Sequence, residues 1–233
     1  MTTLALGVLI SGRGSNLGAV LEAIAQGTLD ASVRVVVANR SDAHGLERAR
    51  AAKVPAVIVE HGAFAQRADF ERAVLRELEA HGVEWVVLAG FMRVLSATFL
   101  GAFPWRVLNI HPALCPAFPG PNAIERALRH GVRVTGCTVH FVDEGVDTGP
   151  IVAQSAVEVL AADTRDTLAA RVLEQEHRLL VQVLQWLAQG RVWLEPPQAP
   201  DGRPRVVTQA QAPEQDAARH LWTTPAWPSL PRT

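Results

Sequence analysis

"LALGVLISGRGSN", residues 4–16, decides the fold. It opens as an apolar run over 4–10, breaks at Ser11-Gly12-Arg13-Gly14, and passes at Ser15-Asn16 into a stretch that reads as helix over 16–26. A strand, a glycine loop and a helix in that order begin a parallel α/β unit. The rest of the chain repeats the alternation. Short apolar runs follow at 33–38, 56–59, 85–90, 106–110, 136–142 and 151–159. Several lack polar alternation, as strands covered on both faces do. Helical stretches at 44–52, 66–80 and 96–103 separate the early runs, and a long one spans about 164–189. The expected fold is α/β: a doubly wound, mostly parallel, Rossmann-like sheet flanked by helices, with right-handed crossovers. The short link between 136–142 and 151–159 makes those two antiparallel neighbours at one edge.

Composition sets the bounds. Of 233 residues 48% are hydrophobic and 19% charged, so the chain can bury a sizeable core. The net charge is −1 with no block of like charge, which gives no footprint for nucleic acid or an anionic membrane. The first residues lack a basic leader and a cleavage site, and no run approaches membrane-spanning length. Two cysteines, Cys115 and Cys137, are too few for a disulfide framework and suit a reduced, cytoplasmic compartment. Residues 1–190 read as one unit. Past Gly190 proline and polar residues take over, with a hairpin near 191–207 and an extended tail to 233, packed on the unit or trailing from it.

The glycine loop suits an anion. Its N–H groups and the helix dipole favour a phosphate, and glycines let the backbone come close. It is not a Walker A loop, because no Lys-Ser/Thr follows. It is not a dinucleotide fingerprint either: Leu17 takes the place of the third glycine, and Asn39, not an acid, ends the second strand. A ligand-free tight turn is the alternative.

"VLNIHPALCPAFPG" (107–120) carries the second signal. Asn109 and His111, two apart on a strand, project to one face, and Pro112 helps end the ladder. Alone, this is a polar pair closing a strand. In "VHFVDEGVDTGP" (139–150), however, His140 leads into a loop with Asp143, Glu144 and Asp147. Asp147 lies between Gly145 and Gly149, which make the loop compliant, and is the acid best placed to turn inward. An amide, an imidazole and a carboxylate suit acyl transfer to an amine, which needs an oxyanion stabiliser and a route for a proton. A zinc set of His111, Cys115, Cys137 and His140 is a weaker competitor, since Pro112 disrupts the first pair's spacing. On the long helix the apolar stripe through Leu168, Val172, Leu180 and Leu184 is interrupted by Glu176. It either pairs with Arg171 or Arg178, or holds a ligand's cation or hydroxyls.

Together "VLISGRGSN", "VVLAGFMRVLS", "LNIHPALCPAFPG", "VTGCTVHFVDEGVDTGPIVAQ" and "RVLEQEH" resemble the phosphoribosylglycinamide formyltransferase family, in order over about residues 4–190. The resemblance implies a formyltransferase domain that moves a formyl group from 10-formyltetrahydrofolate, its one-carbon donor, to the amine of glycinamide ribonucleotide in purine synthesis. No metal is implied, and both monomer and homodimer stay open. It implies Asn109, His111 and Asp147 as catalytic residues. It implies Gly12, Arg13, Gly14, Ser15 and Asn16 as the phosphate loop, with Pro112 and Glu176 also on the ribonucleotide side. It implies a folate side made of Arg67, the segment Phe91, Met92, Arg93, Val94 and Leu95, His140, and the loop residues Asp143, Glu144, Gly145 and Val146. Two features depart from the family: Pro121-Asn122 stands where a histidine is common, and the tail is long and proline-rich. Formyltetrahydrofolate hydrolase and methionyl-tRNA formyltransferase share the chemistry, but are expected to carry an extra N-terminal domain and a second basic domain respectively. A non-catalytic binder of a phosphorylated metabolite would keep the loop without the trio.

Overall fold

A computed structural model describes residues 3–196 and 204–209. Five parallel strands come first: β1 (Leu4–Ile10), β2 (Ala31–Ala38), β3 (Ala56–Ile58), β4 (Trp85–Leu88) and β5 (Val107–His111). Between them run helices α1 (Ser15–Ala25), α2 (Gly45–Ala51), α3 (Arg67–Ala80) and α4 (Ala97–Ala102). After β5 come α5 (Ala123–His130), β6 (Val134–Phe141), β7 (Ile151–Glu158) and the long α6 (Arg165–Ala188). The strand order is β3-β2-β1-β4-β5-β6-β7, with β6 and β7 antiparallel, each to its predecessor.

Period-two alternation in β1 builds both halves of the core. Leu4, Leu6, Val8 and Ile10 face one layer with Leu17 and Val20 of α1 and Leu168 and Leu180 of α6. Leu9 faces the other with Phe70, Val74 and Leu78 of α3 and Phe99 of α4. Helix starts are set locally. The Ser96 hydroxyl accepts from the Phe99 N–H ahead of α4, and Thr164 and Thr167 form a reciprocal cap ahead of α6. Among the described residues no helix is long and apolar enough to cross a membrane.

Some boundaries differ from the sequence reading. β2 starts at Ala31 because Ala31 and Ser32 pair with Leu4 and Ala5. β5 takes in His111, which pairs with Thr138. Helix α5 went unread in the sequence: it is only two turns long, and its buried face is Ala123, Ile124 and Ala127. Its start explains Asn122: the residue sits exposed at the cap with φ 58°, a left-handed conformation that asparagine tolerates. The expected hairpin forms from β8 (Val192–Glu195) and β9 (Arg205–Thr208). Val192 is buried in the α6-side core, and Leu194 and Val206 pack against it. The tail from 210 to 233 lies outside the described residues.

Leu180 is fully buried in the α6-side layer. Leu180→Ala is expected to destabilise the protein by about 3 kcal/mol, read from chemical denaturation at unchanged slope. A loss under about 1 kcal/mol would contradict this packing.

Candidate active site

Strands β1 and β4 lie side by side where the winding direction reverses, and loops at such a point diverge to leave a crevice. Two hydrogen bonds join the loops here: the Ser11 N–H donates to the Gly90 carbonyl (3.2 Å), and the Met92 N–H to the Ser11 hydroxyl (2.9 Å). The glycine loop is braced from behind by α2. Gly14 has φ 66°, and a Cβ there would lie 2.6 Å from the Gly45 Cα. The Gly45 N–H donates to the Gly12 carbonyl (3.0 Å), and Arg48 Nε to the Arg13 carbonyl (3.2 Å). Only glycine at 14 accepts both the backbone sign and the close approach. The first N–H groups of α1 have no acceptor within the helix and remain for a ligand or solvent.

Asn16 turns its side chain away from the loop backbone. Its amide donates to Glu176 Oε2 (2.9 Å), both groups are buried, and its own Oδ1 has no partner among the described residues. Among the described residues Glu176 is not paired with an arginine. Arg171 binds Asp163 (2.6 Å) instead, and Arg178 is exposed. Burial pushes the Glu176 carboxyl up to about 7, against a smaller opposing effect of the Asn16 hydrogen bond.

Asn109, His111, His140 and Asp147 converge. Asn109 sits directly across the β5–β6 ladder from His140, so their side chains share a face. The Asn109 amide donates to Asp147 Oδ1 (3.0 Å), and its nitrogen also lies 3.2 Å from His140 Nε2. His140 Nδ1 donates to the Phe141 carbonyl (2.8 Å), and its Nε2 lies 3.5 Å from Asp147 Oδ1. His111 Nδ1 faces Asp147 Oδ2 at 3.2 Å, and Nε2 donates to the Phe118 carbonyl at 2.9 Å. The Gly120 N–H completes the carboxylate shell at 2.7 Å from Oδ2.

Asp147 is thus the centre of the cluster, held with φ 53°, a conformation an aspartate can adopt. Burial works to raise its carboxyl, but the hydrogen bonds from His140 and Gly120 and the nearby imidazoles outweigh it, leaving the group below its ordinary value. His111 moves down as well: burial dominates, and the Asp147 charge and Phe118 carbonyl pull partly back up. A carboxylate against one ring nitrogen and a carbonyl against the other are both satisfied only by the doubly protonated ring. Burial therefore opposes the form that the geometry favours.

The remaining expected residues fall in three places. Phe91 and Leu95 are buried, whereas Met92 is 75% exposed and Val94 46%, leaving an apolar surface beside the crevice. Arg93 lies over the Phe70 ring at 5.4 Å. Arg67, half exposed, pairs with the buried Glu71 (2.8 Å), which also accepts from the Ser96 N–H (3.0 Å) and hydroxyl. Arg67 is thereby tied to the end of the 91–95 segment. In the Asp147 loop, Asp143 accepts from the Gly145 N–H (3.1 Å) and the Thr148 hydroxyl (2.6 Å), while Glu144 and Val146 are exposed. Pro112 follows β5 in a turn in which the Ala113 N–H donates to the His111 carbonyl (2.9 Å).

Gly145 and Gly149 serve contact more than compliance. A Cβ on Gly149 would lie 1.8 Å from the Phe141 carbonyl oxygen, and one on Gly145 2.0 Å from Thr148 Oγ1. Cys115 and Cys137 are buried and unpaired, and burial raises both thiols. Among the described residues no three His, Cys, Asp or Glu side chains are arranged to hold a metal.

Sequence reasoning missed the Gly120 N–H, the Phe118 carbonyl and Glu71. The first two are backbone groups that no side-chain pattern announces. Glu71 had a signal of the same kind as Glu176, since it falls among the buried Phe70, Val74 and Leu78 of α3.

The Glu176 shift has a sign that can be tested. Its ordinary value is 4.5, so between there and about 7 the unfolded chain releases a proton that the folded chain keeps. Stability is lost as pH rises through that window. Glu176→Gln should therefore be more stable than the parent by about 2 kcal/mol near pH ~8, with the gap closing toward pH ~4. A gap independent of pH would contradict the assignment.

Comparison with known proteins agrees with this geometry. Residues 5–184 match the formyl transferase family model. The chain is 42% identical over 180 residues to phosphoribosylglycinamide formyltransferase of Bacillus subtilis, covering 77% of this chain and 92% of the relative. It is 46% identical over 185 residues, 79% of its length, to the trifunctional purine biosynthetic protein adenosine-3 of Gallus gallus, of which it spans only 18%. The crystal structure of glycinamide ribonucleotide transformylase 1 from Symbiobacterium toebii superposes with a TM-score of 0.84 at 47% identity, covering 89% of this chain and 95% of that one. A formyltetrahydrofolate deformylase from Pseudomonas syringae shares the fold (TM-score 0.80) at 23% identity, with 89% and 66% covered. The chain belongs to the formyl transferase family, among the phosphoribosylglycinamide formyltransferases.

Proposed function

We propose that this protein transfers the formyl group of 10-formyltetrahydrofolate to the amine of glycinamide ribonucleotide, a step of purine biosynthesis. The observation that carries the reading is the convergence of Asn109, His111 and Asp147 at the carboxyl end of β5. The parallel strands that carry the glycine loop and the 91–95 segment end at the same edge of the sheet. The neutral amine attacks the formyl carbon, a tetrahedral intermediate forms, the C–N10 bond breaks, and a proton passes from the incoming amine to N10.

In this reading the ribonucleotide phosphate takes the N–H groups of Gly14, Ser15 and Asn16. Glu176 and the unpartnered Asn16 Oδ1 offer acceptors to the rest of that substrate. The pterin ring lies against the backbone of 91–95 with Met92, Val94 and Val146 as apolar neighbours, all three being exposed in the free protein. Asn109 and His111 stabilise the oxyanion. Their donors are already engaged by Asp147 and the Phe118 carbonyl, so the formyl oxygen exchanges with these bonds as charge develops on it. Asp147 holds both groups oriented and supports a proton on His111 while the amine is deprotonated. Monomer and homodimer both accommodate this scheme, and the buried unpaired thiols suit a reducing cytoplasm.

The test is a spectrophotometric assay of folate deformylation with and without the ribonucleotide. Turnover that requires the ribonucleotide is expected. Turnover without it indicates hydrolysis, and tight ribonucleotide binding with no turnover indicates a binder. Asn109→Ala and Asp147→Ala should each lower kcat by about 10²–10³-fold while the dissociation constants for both substrates stay nearly unchanged. Full activity in either variant would refute its role.

A further inference from the structure

Away from the trio, α1 and α6 lie side by side and run in the same direction. Asn16 meets Glu176 at one end, and Asp30 meets Gln185 at the other through two hydrogen bonds of 2.8 and 2.9 Å. Between them is a groove of about 620 Å³, within the range of small-ligand pockets. Its upper end is lined by Ser15, Gly18, Arg48, His177 and Arg178, and its lower end by Glu22 and Gln182 among others.

The upper end holds two arginines with no carboxylate bound to them among the described residues, while Glu174 lies close enough for its charge to act on His177. Among the described residues six arginines form ion pairs, as Arg40 does with Asp42 and Arg171 with Asp163, and Arg48 and Arg178 are not among them. Among the described residues Arg178 makes no hydrogen bond or ion pair, and Arg48 uses only Nε, on the Arg13 carbonyl, with no bond at its two terminal nitrogens. Gly18 makes room for that guanidinium: a Cβ there would lie 3.1 Å from the Arg48 NH1 nitrogen. His177 Nε2 is buried beside this end without a partner among the described residues. Among the described residues the one carboxylate lining the groove, Glu22, lies a turn further along and accepts from Gln26 (3.0 Å). The groove is thus cationic at one end and polar at the other. Fork-shaped guanidinium donors suit phosphate oxygens.

We propose that the α1–α6 groove is a second anion site that takes a small phosphorylated metabolite. Its phosphate lies between Arg48 and Arg178, and its hydroxyl- or amide-bearing body runs along Gln182 and Glu22. This site adjoins the glycine loop, since Ser15 and Arg48 border both, but extends away from it along α1 and α6.

Equilibrium dialysis with labelled inorganic phosphate tests it on the full chain. Wild-type protein is expected to bind phosphate in two classes. Arg178→Glu, at an exposed position outside the catalytic machinery, should weaken one class at least about tenfold while formyl transfer stays at the wild-type rate. Saturating glycinamide ribonucleotide should remove the other class and leave the groove class in place. A single class that the ribonucleotide abolishes, or two classes untouched by Arg178→Glu, would overturn the proposal. If both classes survive the ribonucleotide and Arg178→Glu still removes one, the groove stands and the phosphate role of the glycine loop fails.

Discussion

The site depends on one carboxylate held where burial disfavours it. Asp147 meets the Asn109 amide, the His111 imidazole and the Gly120 N–H at 2.7–3.2 Å, with His140 close behind. Removing a carboxylate from water costs several kcal/mol unless its lone pairs are filled. Here they are filled from β5, from the 118–120 loop and from β6. Each donor is also fixed by the hydrogen bond, so the charge that needs the donors orients them. Without it, Asn109 and His111 would each lose one of the contacts that orient them and keep only His140 and the Phe118 carbonyl respectively.

The same economy recurs at Glu176 and Glu71. Each is a carboxylate on the apolar side of its helix, and each joins a core helix to a segment bordering the crevice. Glu176 on α6 reaches Asn16 after the glycine loop. Glu71 on α3 reaches Ser96, next to the 91–95 segment, and holds Arg67. A purely apolar helix would pack as well but could not fix the backbone of a ligand loop. The two helices lie on opposite faces of the sheet, so the crevice is anchored from both core layers.

The sheet was readable because its strands are covered on both faces and stand out as apolar runs between helical stretches. The glycine loop was readable because a strand entering Gly-x-Gly and then a helix has few other uses. Asn109 and His111 followed from period-two geometry, and Glu176 from a break in a 3.6-residue stripe. What escaped was set by backbone and by tertiary contact. Helix α5 shows its apolar face over only two turns. The donors at Gly120 and Phe118 are main-chain groups. The approach of Gly149 to the Phe141 carbonyl appears only once β6 and the loop are folded together. The resemblance to a family supplied the substrates, which no spacing encodes.

The central claim is that the Asp147 charge governs the His111 proton. Nitrogen-detected NMR of the His111 imidazole, followed across pH in the ligand-free protein, measures it directly. The expected midpoint lies below the ordinary histidine value, because burial dominates, and falls further in Asp147→Asn, because the carboxylate was holding it up. A midpoint that does not move on that substitution would show that the two groups are not coupled, and the account of the site would fail with it.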